Sequence, residues 1–246
     1  ISYNNIKSAN LNGATGAATR GIYKSYSNGL PSGVFTADIN NNTITITNNL
    51  TVGISSFICI NCVELSSASP SATFNINNNL LSNISIGATN TNFFGISTIA
   101  QVGVMNINDN IIRGTTMAGT GSFTGIYNTG AVITALNINN NKIGDNIAGA
   151  VTYSQQHSSV IAGINCPTVT NTAAVSISGN NFQGFTQTLA GTSVQEHKYI
   201  SLVHAVAGAT TDNINNNTFT NLVANTGGNV TFISRTGTMA SLAGAT

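Results

Sequence analysis

One motif of eight residues, typified by Leu136–Ile143, occurs seven times in this chain and constrains its fold more than any other feature. Within the motif, an isoleucine is followed three residues later by an asparagine and five residues later by an apolar residue. The isoleucine column is Ile1, Ile39, Ile76, Ile107, Ile138, Ile177 and Ile214. Successive motifs are 38, 37, 31, 31, 39 and 37 residues apart, so the sequence predicts a repeat architecture with insertions of variable length.

The order of apolar and polar residues in the motif predicts a strand that ends in a tight corner. In a strand, Leu136 and Ile138 face one side, and the asparagines that alternate with them face the other. Ile143 is also apolar, although it lies an odd number of residues from Ile138, so the alternation must break between them. We place the corner at Asn139 and Asn140, because asparagine tolerates the left-handed backbone conformation.

The corner turns the asparagine that follows it toward the interior, beside the two isoleucines. A buried amide without a partner costs about 1–3 kcal/mol, so an inward asparagine in every unit requires one. Parallel coils stacked about 4.8 Å apart supply it, because each amide can donate to one neighbouring coil and accept from the other. We therefore predict an internal ladder of Asn4, Asn42, Asn79, Asn110, Asn141, Asn180 and Asn217.

A second strand is predicted in every unit, 19 to 26 residues after the motif isoleucine. Its central pairs are Gly21-Ile22, Cys59-Ile60, Gly95-Ile96, Gly125-Ile126, Gly163-Ile164, Tyr199-Ile200 and Phe232-Ile233. Together, the two strands and the ladder predict an all-β parallel solenoid of about seven coils, in which equivalent residues lie above one another.

The repeat runs through the whole chain without a linker, so we expect residues 1–246 to form a single elongated domain. Charged residues make up only 5% of the chain, against about 25% in a typical soluble domain. Hydrophobic residues make up 41% and recur periodically, which predicts a packed core. Ile1 already stands at the motif position and no cap is evident at either end, so we expect a segment of a longer repeat array.

Charge and cysteine content exclude several kinds of partner. The net charge is +1 and the seven basic residues are scattered, so the chain lacks the basic stripe that a nucleic-acid partner requires. No apolar run reaches the length of a membrane span. Cys59 and Cys62 form a CxxC pair without the second pair of a zinc site, and Cys166 is equivalent to Cys62 in its own unit. We expect three small buried cysteines, no metal and no cofactor.

The Ile-x-Asn-Asn-x-Ile core of the motif resembles the right-handed parallel β-helix repeats of the pectate-lyase-like superfamily, along the whole chain. It is most similar to the asparagine-rich, low-charge repeat proteins of Bacteroidota cell surfaces. The resemblance implies a right-handed parallel β-helix, secretion through an outer-membrane export route, and a setting where long polymers are displayed or bound. It does not imply one activity, because β-helices include lyases, hydrolases, adhesins and stalks.

Enzymes of that superfamily use clustered carboxylates that bind calcium beside a basic residue, or paired acids that hydrolyse glycosides. This chain has only six acidic residues. Asp109 replaces the middle asparagine of its motif, Asp145 lies beyond the corner one coil later, and Arg113 is near both in the repeat. These three residues are the best-placed catalytic candidates. The alternative is that Asp109 simply replaces an asparagine in a solvated turn.

The histidines offer weaker signals. Residues Gln195–Lys198 form the one charge cluster, and its His197 beside Glu196 could serve acid–base chemistry. No second acid or nucleophile accompanies them, so we expect a solvated insertion loop. His157 and His204 are isolated and have no metal-ligand spacing.

Two further patterns have structural explanations. Asp212 stands in a column that is otherwise apolar, and we attribute it to a change of register near the end of the chain. Thr43, Thr45 and Thr47 have the spacing of an ice-binding face. The equivalent residues in later coils include Leu80, Ile111 and Lys142, so no rank of threonines persists.

These observations predict a non-enzymatic structural or adhesive segment of a secreted bacterial cell-surface protein. Its expected partners are surface polysaccharide, other surface proteins and flanking repeats of the same chain. The alternative is a carbohydrate-binding β-helix, or a polysaccharide-degrading lyase or hydrolase that acts near Asp109, Arg113 and Asp145.

Overall fold

A computed structural model describes residues 1–9, 18–26, 34–48, 56–64, 69–87, 90–146, 149–153, 159–187, 195–206 and 210–238. All regular secondary structure in these residues is β-strand, and the strands form three sheets. None of these residues forms a helix that is long and apolar enough to cross a membrane.

Each sheet is a stack of parallel strands that follow one another in space in the same order as in the chain. Sheet A consists of β3 (Phe35–Asn40), β6 (Ser69–Asn77), β9 (Val102–Asn108), β12 (Val132–Asn139), β16 (Ala174–Ser178) and β20 (Asp212–Asn215). The main path of sheet B is β1 (Asn5–Ala9), β4 (Thr43–Asn48), β7 (Leu80–Ile86), β10 (Ile111–Met117), β13 (Lys142–Gly144), β17 (Asn181–Gln183) and β21 (Thr218–Thr220). It is extended by β14 (Val151–Tyr153), β18 (Phe185–Gln187) and β22 (Val223–Ala224). Sheet C consists of β2 (Ala18–Tyr26), β5 (Ser56–Glu64), β8 (Asn92–Thr98), β11 (Phe123–Asn128), β15 (Ile161–Val169), β19 (His197–His204) and β23 (Val230–Thr236).

The chain visits the three sheets in a fixed order, A then B then C, and each round of this path is one coil. The predicted all-β parallel solenoid is therefore confirmed. Within the described residues, sheet C and the main path of sheet B each contain seven strands, whereas sheet A contains six. Slightly fewer coils are complete than the seven that the repeat count suggested, because the first coil has no strand in sheet A.

The predicted register of neighbouring strands is confirmed in all three sheets. On sheet A, Ile138 pairs with Ile107 on one side and with Ile177 on the other. On sheet C, the register drawn from the second-strand pairs also holds, from Ile22 beside Ile60 to Ile200 beside Ile233. Equivalent residues thus lie above one another along the stack.

The predicted corner lies between sheets A and B and has a left-handed residue at its tip. Asn140 has a φ of 57° and Asp109 a φ of 58°. The equivalent corner residues of the other coils are Tyr3, Asn41, Asn78, Gly179 and Asn216, all with positive φ. Short polar side chains and glycine favour this conformation, which explains why asparagine dominates the column.

The apolar columns fill the interior. Ile138, Ile143 and Ile164, one from each sheet of the same coil, are fully buried. Phe57, Phe93 and Phe123 form a continuous stack, with ring centroids 6.3 and 5.2 Å apart. Burial of these periodic side chains is the main stabilising term, as expected when charged residues are scarce.

The outer face of sheet A carries a second, partly exposed amide ladder. Asn137 Nδ2 donates to Asn106 Oδ1 at 2.8 Å, and Asn106 Nδ2 donates to Asn75 Oδ1 at 2.8 Å. Asn75 Nδ2 in turn donates to the Asp38 carboxylate at 2.8 Å. The outward asparagines therefore stiffen the solvent face in the same way that the inward ones stiffen the core.

Candidate functional site

The predicted internal asparagine ladder is continuous from Asn4 to Asn217. Between successive members, the distance from Nδ2 to Oδ1 is 2.9–3.0 Å. Asn141 Nδ2 donates to Asn180 Oδ1 at 3.0 Å and to the Ile107 carbonyl at 2.8 Å, while Asn141 Oδ1 accepts from both the backbone N and Nδ2 of Asn110 at 3.0 Å. Every hydrogen-bonding position of this buried amide is therefore occupied.

The ion pair of Arg113 and Asp145 lies on the outer face of sheet B, between two clefts. Arg113 Nη1 is 3.2 Å from Asp145 Oδ2, and the two side chains are 45% and 31% exposed. The larger cleft, of about 390 Å³, also contains Asn83, Gly114 and Gly149 in its wall. The structure thus brings two of the three catalytic candidates together, as neighbours in adjacent coils.

The smaller cleft, of about 290 Å³, lies on the other side of this ion pair and is more polar. Its wall includes Lys142, Gln183 and Asn181, whose Oδ1 is buried and has no hydrogen-bond partner within the described part of the chain. Asp145 is the one carboxylate among the described residues that line either cleft, and it is already paired with Arg113.

Asp109 stands apart from this pair. It occupies the exposed tip of its corner, with a φ of 58°, and its backbone N donates to the Asn139 carbonyl at 3.0 Å. It lines neither of the two clefts that contain Arg113. Its position is that of the corner asparagines, which corresponds to the solvated-turn alternative.

A third cleft, which the sequence reasoning missed, lies on the outer face of sheet C and measures about 400 Å³. Two partly exposed rings lie in its wall, Phe94 from β8 and Tyr127 from β11, with centroids 5.2 Å apart and planes tilted by 39°. Its other lining residues are mostly small or polar, among them Ser122, Asn165 and Ser201. Aromatic rings surrounded by hydroxyl and amide groups are typical of ligand sites.

The expectation that Gln195–Lys198 is a solvated loop is wrong for half of its residues. Gln195 and His197 are fully buried, and His197 begins strand β19, where its Nε2 lies 2.6 Å from Gln187 Oε1. Glu196 and Lys198 alternate with them, remain about one-third exposed, and pair at 2.7 Å. The strand geometry, which alternates inward and outward side chains, explains the division.

The register change proposed for Asp212 is also wrong. Asp212 pairs with Val175 in the expected register, so its carboxylate stands in the apolar column itself. The side chains of His204 and Arg235 hold it there. Oδ1 lies 2.6 Å from Nδ1 of the fully buried His204, and Oδ2 lies 2.9 and 2.8 Å from Nε and Nη2 of Arg235. His204 Nε2 also contacts the Thr170 carbonyl at 2.9 Å.

We expect Asp212→Asn to destabilise the last coils by about 2–4 kcal/mol, because His204 and Arg235 would lose their charged partner in a mostly buried position. Amide hydrogen exchange in β19, β20 and β23 measures this change. Asp145→Asn is the matched control, since it removes an exposed pair and should cost less than about 1 kcal/mol. If the amides of these strands exchanged equally slowly in the two variants, Asp212 and its partners would contribute no more stability than the exposed ion pair.

All three cysteines are free and fully buried, which confirms the prediction that they are small buried residues. Burial raises the pKa of Cys62 and of Cys166 to about 12, and it raises the pKa of Cys59 further still. At pH 8 only about one thiol in ten thousand with such a pKa is ionised. We therefore expect no reaction of the native protein with a thiol-specific disulfide reagent and three equivalents in denaturant. A rapidly reacting native thiol would contradict this burial.

The described residues contain no group of three or more His, Cys, Asp or Glu side chains that could hold a metal ion. His157, noted in the sequence, lies outside the described residues. No family model, curated protein or solved structure matches this chain, and what the fold itself establishes is a parallel β-solenoid with a buried asparagine ladder.

Proposed function

We propose that this chain is a non-enzymatic segment of a secreted bacterial cell-surface protein, which acts as a stiff support and presents adhesive faces to surface polysaccharide. The asparagine-rich motif further suggests a β-helix of the kind found on Bacteroidota surfaces. Flanking repeats of the same chain and other surface proteins are the expected structural partners.

The observation that carries this proposal is the unbroken amide ladder. It connects seven successive motifs through hydrogen bonds in which Asn42, Asn79, Asn110, Asn141 and Asn180 are almost completely buried. Because a half-satisfied buried network is costly, the satisfied ladder favours one register over every other. A stack with a single register holds its outer faces at fixed spacing, which suits a support that presents repeated contacts.

A second candidate function is polysaccharide cleavage at Arg113 and Asp145, with Asp109 as a further acid. The two clefts beside the ion pair favour it, since they offer space for a ligand next to a carboxylate. Against it, a glycoside hydrolase requires two carboxyl groups about 5–9.5 Å apart, and Asp145 is already engaged by Arg113. We therefore place adhesion first.

The deciding experiment coats beads with the purified protein and measures their retention on films of neutral and acidic polysaccharides, with and without calcium. The supernatant of each film is assayed for reducing ends and for unsaturated sugars. We expect retention on at least one film and no product in any supernatant.

Two outcomes would contradict this proposal, wholly or in part. Product that disappears in Asp145→Ala or Asp109→Ala would overturn the non-enzymatic proposal in favour of the second candidate. The absence of both retention and product would remove the adhesive role and leave only the support.

A further inference from the structure

The cleft on sheet C owes its shape to the sizes of side chains in two outward columns. One column runs from Phe94 through Thr124 and Ala162 to Lys198, and the other passes through Tyr127 to Asn165 and Ser201. After the ring, the first column continues with two small side chains before Lys198, and the second column continues with Asn165 and Ser201, which are smaller than Tyr127. The small residues leave a recess beside the rings that spans about three coil spacings, or about 14 Å.

The two rings are placed as a platform. Phe94 and Tyr127 come from adjacent coils on the solvent side of the sheet, and both remain partly exposed, whereas the rings of the internal phenylalanine stack are fully buried. An exposed aromatic face bears partial negative charge and presents a flat apolar surface. It therefore suits a flat apolar ligand face that carries slightly positive C–H groups.

Polar groups around the platform are available to a ligand. Tyr127, Asn165 and Ser201 side chains make no hydrogen bond within the described residues, and none of their polar atoms is fully buried. Ser122, at the rim, is fixed instead, because its N and Oγ both donate to Asn92 Oδ1 at 2.9 Å. The cleft thus combines a rigid rim with free hydroxyl and amide groups.

The cleft has little net charge to offer. Lys198 is its only charged lining residue among those described, and Glu196 neutralises it at 2.7 Å. An anionic ligand would have to compete with Glu196 for this lysine, whereas an uncharged ligand loses nothing. A ligand with an apolar face, many hydroxyl groups and no charge is a neutral pyranose.

We propose that this cleft is a binding site for a neutral polysaccharide, with a pyranose ring stacked on Phe94 and Tyr127 and its hydroxyl groups bonded to Asn165 and Ser201. The proposal rests on the adhesive role proposed above and assigns to it a ligand class and a place on the solenoid. The ion-pair clefts of sheet B take no part in it.

Affinity electrophoresis of the whole chain tests the proposal, in gels that contain soluble β-glucan, glucomannan, xylan or dextran, with polygalacturonate as the anionic comparison. We expect retardation by at least one neutral polysaccharide. Phe94→Ala and Tyr127→Ala should each weaken the apparent affinity by about tenfold or more, because each removes half of the stacking platform. Tyr127→Phe keeps the ring and should weaken it by less than about threefold.

Tyr23→Ala is the matched control. Tyr23 stands in the same outward column as Tyr127, is 50% exposed and stacks with Arg20, but lies outside the cleft. Its removal should leave retardation unchanged. Thermal unfolding of every variant confirms that the solenoid is intact.

The outcomes separate this site from the adhesive role as a whole. Retardation that persists in Phe94→Ala and Tyr127→Ala would overturn the cleft while leaving adhesion in place. Retardation by polygalacturonate alone would overturn the neutral ligand. If no gel retards the chain, the cleft proposal fails, and the bead assay then decides independently whether any adhesive role remains.

Discussion

Asn141→Leu should lower the free energy of unfolding by about 4 kcal/mol or more, one of the largest effects expected of a single substitution in this chain. Leucine has a similar volume but cannot hydrogen-bond. It would leave the Ile107 carbonyl, Asn180 Oδ1 and the two donors of Asn110 each without one buried partner. Urea denaturation followed by far-ultraviolet circular dichroism measures the loss.

Asn137→Leu is the matched control, because Asn137 lies four residues before Asn141, in strand β12, and belongs to the partly exposed outer ladder. Water can replace the hydrogen bond that it loses, so we expect a change within about 1 kcal/mol. If the two leucine variants were equally stable, the internal ladder would not be a determinant of the fold.

Gly144→Ala should cost about 3–5 kcal/mol, since two independent effects add at this position. Gly144 has a φ of 99°, which alanine adopts only with strain, and an added Cβ would lie 1.6 Å from the Gln183 carbonyl oxygen of the next coil. The strand pair β13–β17 would have to separate locally. Hydrogen exchange in this pair, together with the urea midpoint, reports the effect.

Gly149→Ala separates the two contributions. Gly149 has a φ of 87°, but the nearest described atom to an added Cβ is Thr152 Oγ1 at 3.4 Å, an ordinary contact. We expect a cost of only about 1–2 kcal/mol, from backbone strain alone. A loss as large as that of Gly144→Ala would mean that close approach of the coils is not the cause.

The fold could be predicted because the sequence repeats the same physical problem in every coil. The columns of Ile138 and Ile143 impose burial, Asn140 imposes the corner, and Asn141 requires neighbours that can satisfy its amide. Each requirement is local, and stacking satisfies them all at once. The number of complete coils was harder to predict, because the motif marks only the passage from sheet A to sheet B.

The sites were harder to predict, because they depend on outward side chains and on single coils. Phe94 and Tyr127 are equivalent to Thr124 and Ser97 of neighbouring coils, so no column of aromatic residues marks them. The signal was nonetheless present: once the Gly-Ile register is set, both rings fall at outward positions of adjacent coils.

Charges that interrupt an apolar column need partners from elsewhere in the coil.

Asp212 illustrates this second limit. Its partners His204 and Arg235 lie on β19 and β23, and no spacing rule connects these three positions. A buried carboxylate must be paired, so its place in the apolar column was itself the indication that hydrogen-bonding or cationic side chains lay opposite. The pair of Arg113 and Asp145 could be anticipated for a different reason, because the two residues lie in adjacent coils near equivalent corners.

The register of the buried amides is the claim on which the structure and the proposed support both depend. Nuclear Overhauser spectroscopy of asparagine-labelled protein tests it directly, through contacts of the Asn141 side-chain amide protons. The expected cross-peaks connect these protons to Asn110, 31 residues earlier, and to Asn180, 39 residues later, which are its hydrogen-bond partners. Contacts to other parts of the chain, or free exposure of this amide to solvent, would contradict the stacked solenoid.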